Sequence, residues 1–374
     1  MVLCVKLMFL YYVNSVLMIK NRNCPSENID FGRSFTVTMG ILEVKDCSFY
    51  RQNTNQVYGG VIHASGNSSL FVESCMFQHC SSQYSGGCIF YDGNAEGIVS
   101  LKKTCAYDCY VELYSCAFAY LHTQSNRTIN FDLVSCVACE KTPTDSSLSI
   151  WFNGGNHSVV YLNSSNNFAN TYSSLSCCQS GTSYVRNSNF VNNTAIKDCI
   201  IFFSNENEEI GHLMINSNII NNYVGGEKAA VTFLYKATIE FRYCIFINNY
   251  AHVLFSIGKE SELDFNYGVY NHSGLIADGN FLCKDLSHGI TATHQIAHFR
   301  THLCPADIAY IDTPDPTIPP IPLRTEDQTK VIVRGGNLPV IILLSCIVLI
   351  GITGLFIFFK KNRAEGFHSF SESI

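Results

Sequence analysis

Along much of the chain, apolar and polar residues alternate for a few positions, break at a small residue and resume on an aromatic one. The run "LFVESCMF" at 70–77 has this outline, and "LEVKDCSF", "VELYSCAF", "IEFRYCIF" and "LDFNYGVY" repeat it. Written as apolar-x-apolar-x-x-small-x-aromatic, the outline begins at Leu42, Leu70, Val111, Ile129, Ile239 and Leu263, and more loosely near 160, 183 and 212. A degenerate copy surrounds Val99 and Leu101. The spacing is roughly 25 to 28 residues per step, the signature of a solenoid.

Alternation of period two predicts a short strand with one face inward, the small residue a bend, and the aromatic residue the start of the next strand. One such unit cannot bury its own apolar face. Coils stacked at ~4.8 Å can, because each strand then bonds to its equivalents above and below while like side chains pile into ladders. Asn-rich turns follow several copies ("NFVNNTA", "NIINNYV", "IFINNYA"), and Asn both tolerates left-handed backbone and can hydrogen-bond along a stack. Gly59-Gly60 and Gly86-Gly87 suit corners that need positive φ.

Composition agrees with an all-β chain: 26 Phe and 20 Tyr in 374 residues fit half-buried pleated surfaces. A net charge of -6 without long blocks of one sign argues against a nucleic-acid partner. Residues 338–359, "LPVIILLSCIVLIGITGLFIFF", carry no charge. As a helix they would span ~33 Å, enough for a bilayer core. Lys360, Lys361 and Arg363 follow as a positive-inside flank. The expected topology is therefore a single-pass type I plasma-membrane protein, with the N-terminal part extracellular and the C-terminus cytoplasmic.

The run "LMFLYYVNSVLMI" at 7–19, interrupted by Asn14 and followed by Lys20 and Arg22, makes residues 1–22 a weak signal peptide or an N-terminal hydrophobic segment. Of 18 cysteines, Cys4 lies in that leader and Cys346 in the span, which leaves an even number for an oxidising exterior. Sequons at Asn67, Asn126, Asn156, Asn163, Asn192 and Asn271 are candidate glycosylation sites. The remaining segments read as a β-helical ectodomain over 23–282, a C-terminal cap over 283–312, a Pro-rich stalk over 313–337 and a tail over 360–374. Cys283 and Cys304 are the candidate disulfide that ties the cap down.

"YGGVIHA" and "SGGCIFY", with "NFVNN" and "IFINN", resemble the GGA[ILV] and FxxN repeats of the polymorphic outer-membrane protein family. That resemblance implies a right-handed parallel β-helix, the pectin lyase-like solenoid, and a role in adhesion. The bacterial family ends in a translocating β-barrel, whereas this chain ends in one apolar segment, which looks more like the single-span surface proteins of eukaryotic parasites.

Cys47, Cys75, Cys116, Cys136 and Cys244 stand at the small position, where they serve either as bridges between coils or as apolar filler. Cys136-x-x-Cys139 lacks a thioredoxin-like surrounding, and a zinc ribbon would need a second pair that Cys177-Cys178 does not supply. His294 and His298 have zincin spacing, and His302 continues their face were the segment helical, but Gln295 replaces the general-base Glu. The sequence thus points to no catalytic residue, no cofactor and no metal site. The expectation is a glycoprotein presenting a rod to an extracellular glycan or protein ligand. The alternative is a membrane-tethered polysaccharide lyase or glycoside hydrolase on the same scaffold.

Overall fold

The computed structural model describes residues 16–20, 34–301 and 304, apart from 54–56, 95–96, 114–115, 125–126, 140–147, 180, 206–210, 227–228 and 290. The expected stalk, membrane span and tail lie outside these residues, as do Asn126 and His302. Among the described residues there is no α-helix, and none long and apolar enough to cross a membrane.

The chain forms a β-solenoid of parallel strands, with up to three strands per turn. Thr238–Arg242, Ile245–Ile247 and Val253–Ile257 make one turn, and each pairs in parallel with its counterpart on the next. The repeated string is one inward ladder. Leu42 aligns with Leu70, Val99, Ile129, His157, Ser183, His212, Ile239, Leu263 and Phe281 in succession. Two residues on, Val44, Val72, Leu101, Phe131, Val159, Val185, Met214, Phe241 and Phe265 form a second ladder. Each of these nine is at most 1% exposed. At about 1.5–3 kcal/mol per large apolar side chain, such ladders are the main stabilising term.

One copy of the string lies outside the ladder that its pattern predicts. Val111 pairs with Ser82 in a separate two-stranded sheet, and the true counterpart of Leu70 is Val99. The strand Val99–Tyr107 is harder to recognise because Lys102 and Lys103 interrupt it; Lys103 takes a positive φ at the bend. The Cys column is corrected likewise. Cys47, Cys75 and Cys244 do share one position at the bend, with Thr104, Ser188, Ser217 and Gly268. Cys136 instead lies inward in the ladder Phe49, Phe77, Ala106, Cys136, Ser164, Phe190, Ile219, Phe246. Cys116 occupies the Gly-Gly corner, where it matches Gly86 and has φ 74.

The Gly-Gly pairs divide the work. Gly59 and Gly86 both have φ 65, whereas a Cβ on Gly60 or Gly87 would strike the backbone carbonyls of the neighbouring coil. The Asn-Asn doublets divide it too. The first residue (Asn192, Asn221, Asn248) takes the left-handed turn, and the second (Asn193, Asn222, Asn249) is buried and faces along the stack.

At the N-terminal end, Val16–Lys20 pairs in parallel with Ile41–Lys45, so part of the apolar leader adds a strand beneath the first full rung. At the other end, the expected cap is a strap. Residues 291–300 are neither helix nor strand and run back along the side of the solenoid. They follow a single outward column: Met76, Cys105, Ser135, Asn163, Asn189 and Asn218. Asn218 exchanges two hydrogen bonds with the His294 backbone, Ser135 Oγ donates to the Phe299 carbonyl at 2.6 Å, and Thr301 Oγ1 reaches Met76 Sδ at 3.3 Å. Cys304 is disulfide-bonded to Cys105, with 6.2 Å between Cα atoms. The expected Cys283–Cys304 bridge is therefore overturned. Cys283 ends the Phe241–Phe265 ladder on an open rung, exposed and unbridged, far along the stack from the rung where the strap terminates.

Candidate functional site

The third strand of each turn carries side chains outward in two parallel columns. One column runs His63, Phe90, Tyr120, Trp151. The other, two residues on, runs Ser65, Asp92, His122, Asn153. The register makes this arrangement unavoidable, because residues i and i+2 of a strand share a face and equivalent residues stack from coil to coil.

Between these columns and the two successive bends bearing Tyr58 and Tyr84 opens a groove of about 650 Å³, lined also by Ser85. The rings of Tyr58 and Phe90 stack at 4.6 Å and those of Phe90 and Tyr120 at 4.9 Å. Both faces of Phe90 are therefore taken up by the two tyrosines, each of which has one face on Phe90. Trp151 breaks the stack, its plane standing at 84° to that of Tyr120 with 5.2 Å between the ring centroids. Asn153 Nδ2 donates to Tyr120 Oη at 3.3 Å, and His122 Nδ1 lies 2.7 Å from Asp92 Oδ1. Burial lowers the pKa of His63, an effect opposed by the Asp92 charge, and burial raises that of the Tyr120 phenol. An apolar floor with a few fixed polar groups is the usual make-up of a small-molecule or glycan site.

Among the described residues, Asp92 is the single carboxylate lining this groove. Elsewhere, Glu240 and Asp264 are neighbours on adjacent rungs of the first strand. The Arg242 guanidinium and Asn266 hold Glu240 below the usual carboxylate range, while burial and the charges of Glu240 and Glu262 push Asp264 up. Unequal environments of this kind are what acid–base pairs use, but this pair lies outside the lined groove.

The zincin-spaced histidines do not assemble. His294 Nε2 lies 2.6 Å from the Tyr243 carbonyl, and His298 Nδ1 is 3.4 Å from the Ile296 carbonyl of its own segment. Among the sequons, Asn67 and Asn192 are exposed and Asn156 and Asn271 half-buried. Asn163 is fully buried in the strap-covered column, so the folded coil leaves no room for a glycan there. The groove was not anticipated in the sequence. Its signal is the recurrence of H, F, Y and W at the third-strand position one period apart, which is visible only once the register is known.

Compared with known proteins, the chain matches no family model, no curated protein and no solved structure. Fold and site alone define its class: a parallel β-solenoid with an aromatic, carboxylate-poor groove on one side and a disulfide-anchored strap along it.

Proposed function

We propose that the protein is a type I cell-surface glycoprotein whose right-handed β-helical rod binds an extracellular glycan in the Tyr58–Trp151 groove, serving adhesion. The observation that carries this reading is the pairing of an aromatic column with a polar one on a single open face. Trp151, which does not join the stack, is placed to meet the apolar side of a sugar, while Asp92 in the groove and His122 and Asn153 beside it in the same column are spaced by the coil repeat to meet successive hydroxyls. A disulfide linking residues 199 apart supports an oxidising compartment. The charge-free run at 338–359 and the basic residues after it support the membrane anchor. The Gly-Gly and FxxN strings support kinship with the polymorphic outer-membrane protein repeats.

The test is a glycan array probed with the full chain displayed on cells. Binding to a restricted set of glycans, weakened at least about tenfold by Trp151→Ala, is the expected result. Sugar cleavage by the full chain that is lost in Asp264→Asn would replace this reading with the carbohydrate-active enzyme. Equal binding by wild type and Trp151→Ala would remove the groove from the account.

A further inference from the structure

Cys80, Cys109 and Cys139 occupy one position on three successive rungs. On the rungs that follow, the same position is Asn167, Asn193, Asn222 and Asn249. Each asparagine uses its Oδ1 to accept the backbone N–H of the rung before it, at 2.9–3.1 Å, and Asn167 serves Cys139 in this way at 2.9 Å. In the cysteine stretch sulfur takes over the place of that oxygen: the Gln52 backbone N–H is directed at Cys80 Sγ, and the Cys109 N–H at Cys139 Sγ. Fixed N–H donors of this kind stabilise a sulfur that carries negative charge.

Cys88, just past the Gly86-Gly87 corner, brings a further sulfur to the same spot. The Sγ atoms of Cys80, Cys88 and Cys109 lie within 4.8 Å of one another, the single group with metal-ligand spacing among the described residues. Cys139 is within hydrogen-bonding reach of Cys109. All four residues are 0% exposed. Cys75 and Cys244, in the bend column, belong to no such group among the described residues.

We propose that Cys80, Cys88 and Cys109, with Cys139 beside them, bind one thiophilic d10 cation, zinc(II) or copper(I), inside the solenoid. Four sulfurs around zinc stand about 3.8 Å apart at a Zn–S distance of ~2.3 Å. Cys80, Cys88 and Cys109 are already within 4.8 Å of one another, whereas Cys139, two rungs from Cys80, must swing inward to join them. Three sulfurs suffice for copper(I), which thiolates also select. Each ligating thiol gives up its proton to solvent as the metal binds, and no redox step is involved. The ion would replace, at the cysteine end of the column, the cross-rung ties that the amide ladder supplies at the other.

Metal content of the full chain, purified without chelator and measured by mass spectrometry, tests this. About one equivalent per chain is expected. Cys109→Asn installs the side chain that the column carries on later rungs, so the variant should fold, as judged by circular dichroism, with its metal content reduced at least about tenfold. Cys244→Ser, which matches Ser217 one rung away, should keep its metal. Cys139→Ser separates the ions: zinc is lost with its fourth sulfur, whereas copper(I) is retained. A metal-free wild type that neither zinc(II) nor copper(I) restores to one equivalent after reduction overturns the proposal. So does a Cys80–Cys109 or Cys109–Cys139 disulfide in the purified chain, or unchanged metal in Cys109→Asn.

Discussion

Asn218 holds the backbone of His294 from both sides: its Nδ2 donates to the His294 carbonyl at 2.8 Å, and its Oδ1 accepts the His294 N–H at 3.0 Å. The two residues are 76 apart, and their bonds fix the strap where it joins the outer column. Asn218 Nδ2 also donates to Asn189 Oδ1 at 2.8 Å, so one amide links the strap to the rung below. Asn218→Ala should destabilise the strap by about 1–3 kcal/mol, since it leaves the strap's polar backbone unpaired under cover. Hydrogen exchange at the His294 amide reports the change, and an unaltered rate would mean that Asn218 does not hold it.

The far end of the strap depends on Cys105–Cys304. Cys304→Ser, or mild reduction, should lower stability by roughly 2–5 kcal/mol if global unfolding is measured. Locally, tryptic cleavage after Arg300 should accelerate about tenfold or more as the strap peels off. Asn163, fully buried in the column along which the strap runs, should then become more open to modification.

Two buried histidines set a pH limit. His157 Nε2–H donates to the Gly154 carbonyl at 2.8 Å, and its Nδ1 accepts from Ser183 Oγ at 2.9 Å, which leaves the ring neutral with both nitrogens used. Burial lowers its pKa from 6.5 to about 3, and that of His212 to about 4. Both shifts are downward, so the unfolded chain takes up protons that the folded chain refuses. Their contribution to stability is complete above pH ~6.5 and is lost as pH falls toward about 4 for His212 and about 3 for His157. His157→Gln should move the acid unfolding midpoint to lower pH, read by fluorescence of Trp151; an unshifted midpoint would show that other groups govern acid unfolding.

The two asparagines of a doublet should respond differently. Asn192 has φ 56 and an exposed side chain, so Asn192→Gly should be nearly neutral and Asn192→Val should cost about 1–2 kcal/mol of backbone strain. Asn193 donates to Asn222 Oδ1 at 3.1 Å and to the Ser164 carbonyl at 2.9 Å, so Asn193→Gly should be the more damaging of the two glycine changes. Urea unfolding midpoints of the variants give the order.

How far sequence could go is clear from particular residues. Leu42, Leu70, Ile239 and Leu263 fall in one ladder as their common string predicts, and the Gly-Gly and Asn-Asn doublets sit at corners. Val111 fits the same string and lies elsewhere, because a string of eight residues says which face is apolar but not which strand of the turn it belongs to. The cysteine cluster was hidden for a related reason. Cys80, Cys109 and Cys139 are one period apart and look unrelated until the rungs are aligned, and Cys88 reaches them only across the coil.

By itself, then, the sequence determined that this chain coils: short alternating apolar runs, repeated at a fixed interval, have no way to bury their inner faces except against copies of themselves. Only the tertiary structure decided what stands next to what across the coils, including the Tyr58–Trp151 groove, the thiol cluster and the strap that joins Cys304 to Cys105. Periodicity is a local property that a chain carries in its order of residues. Contact between residues a turn apart, or 199 apart, depends on the exact register, and a bend that gains or loses one residue resets it.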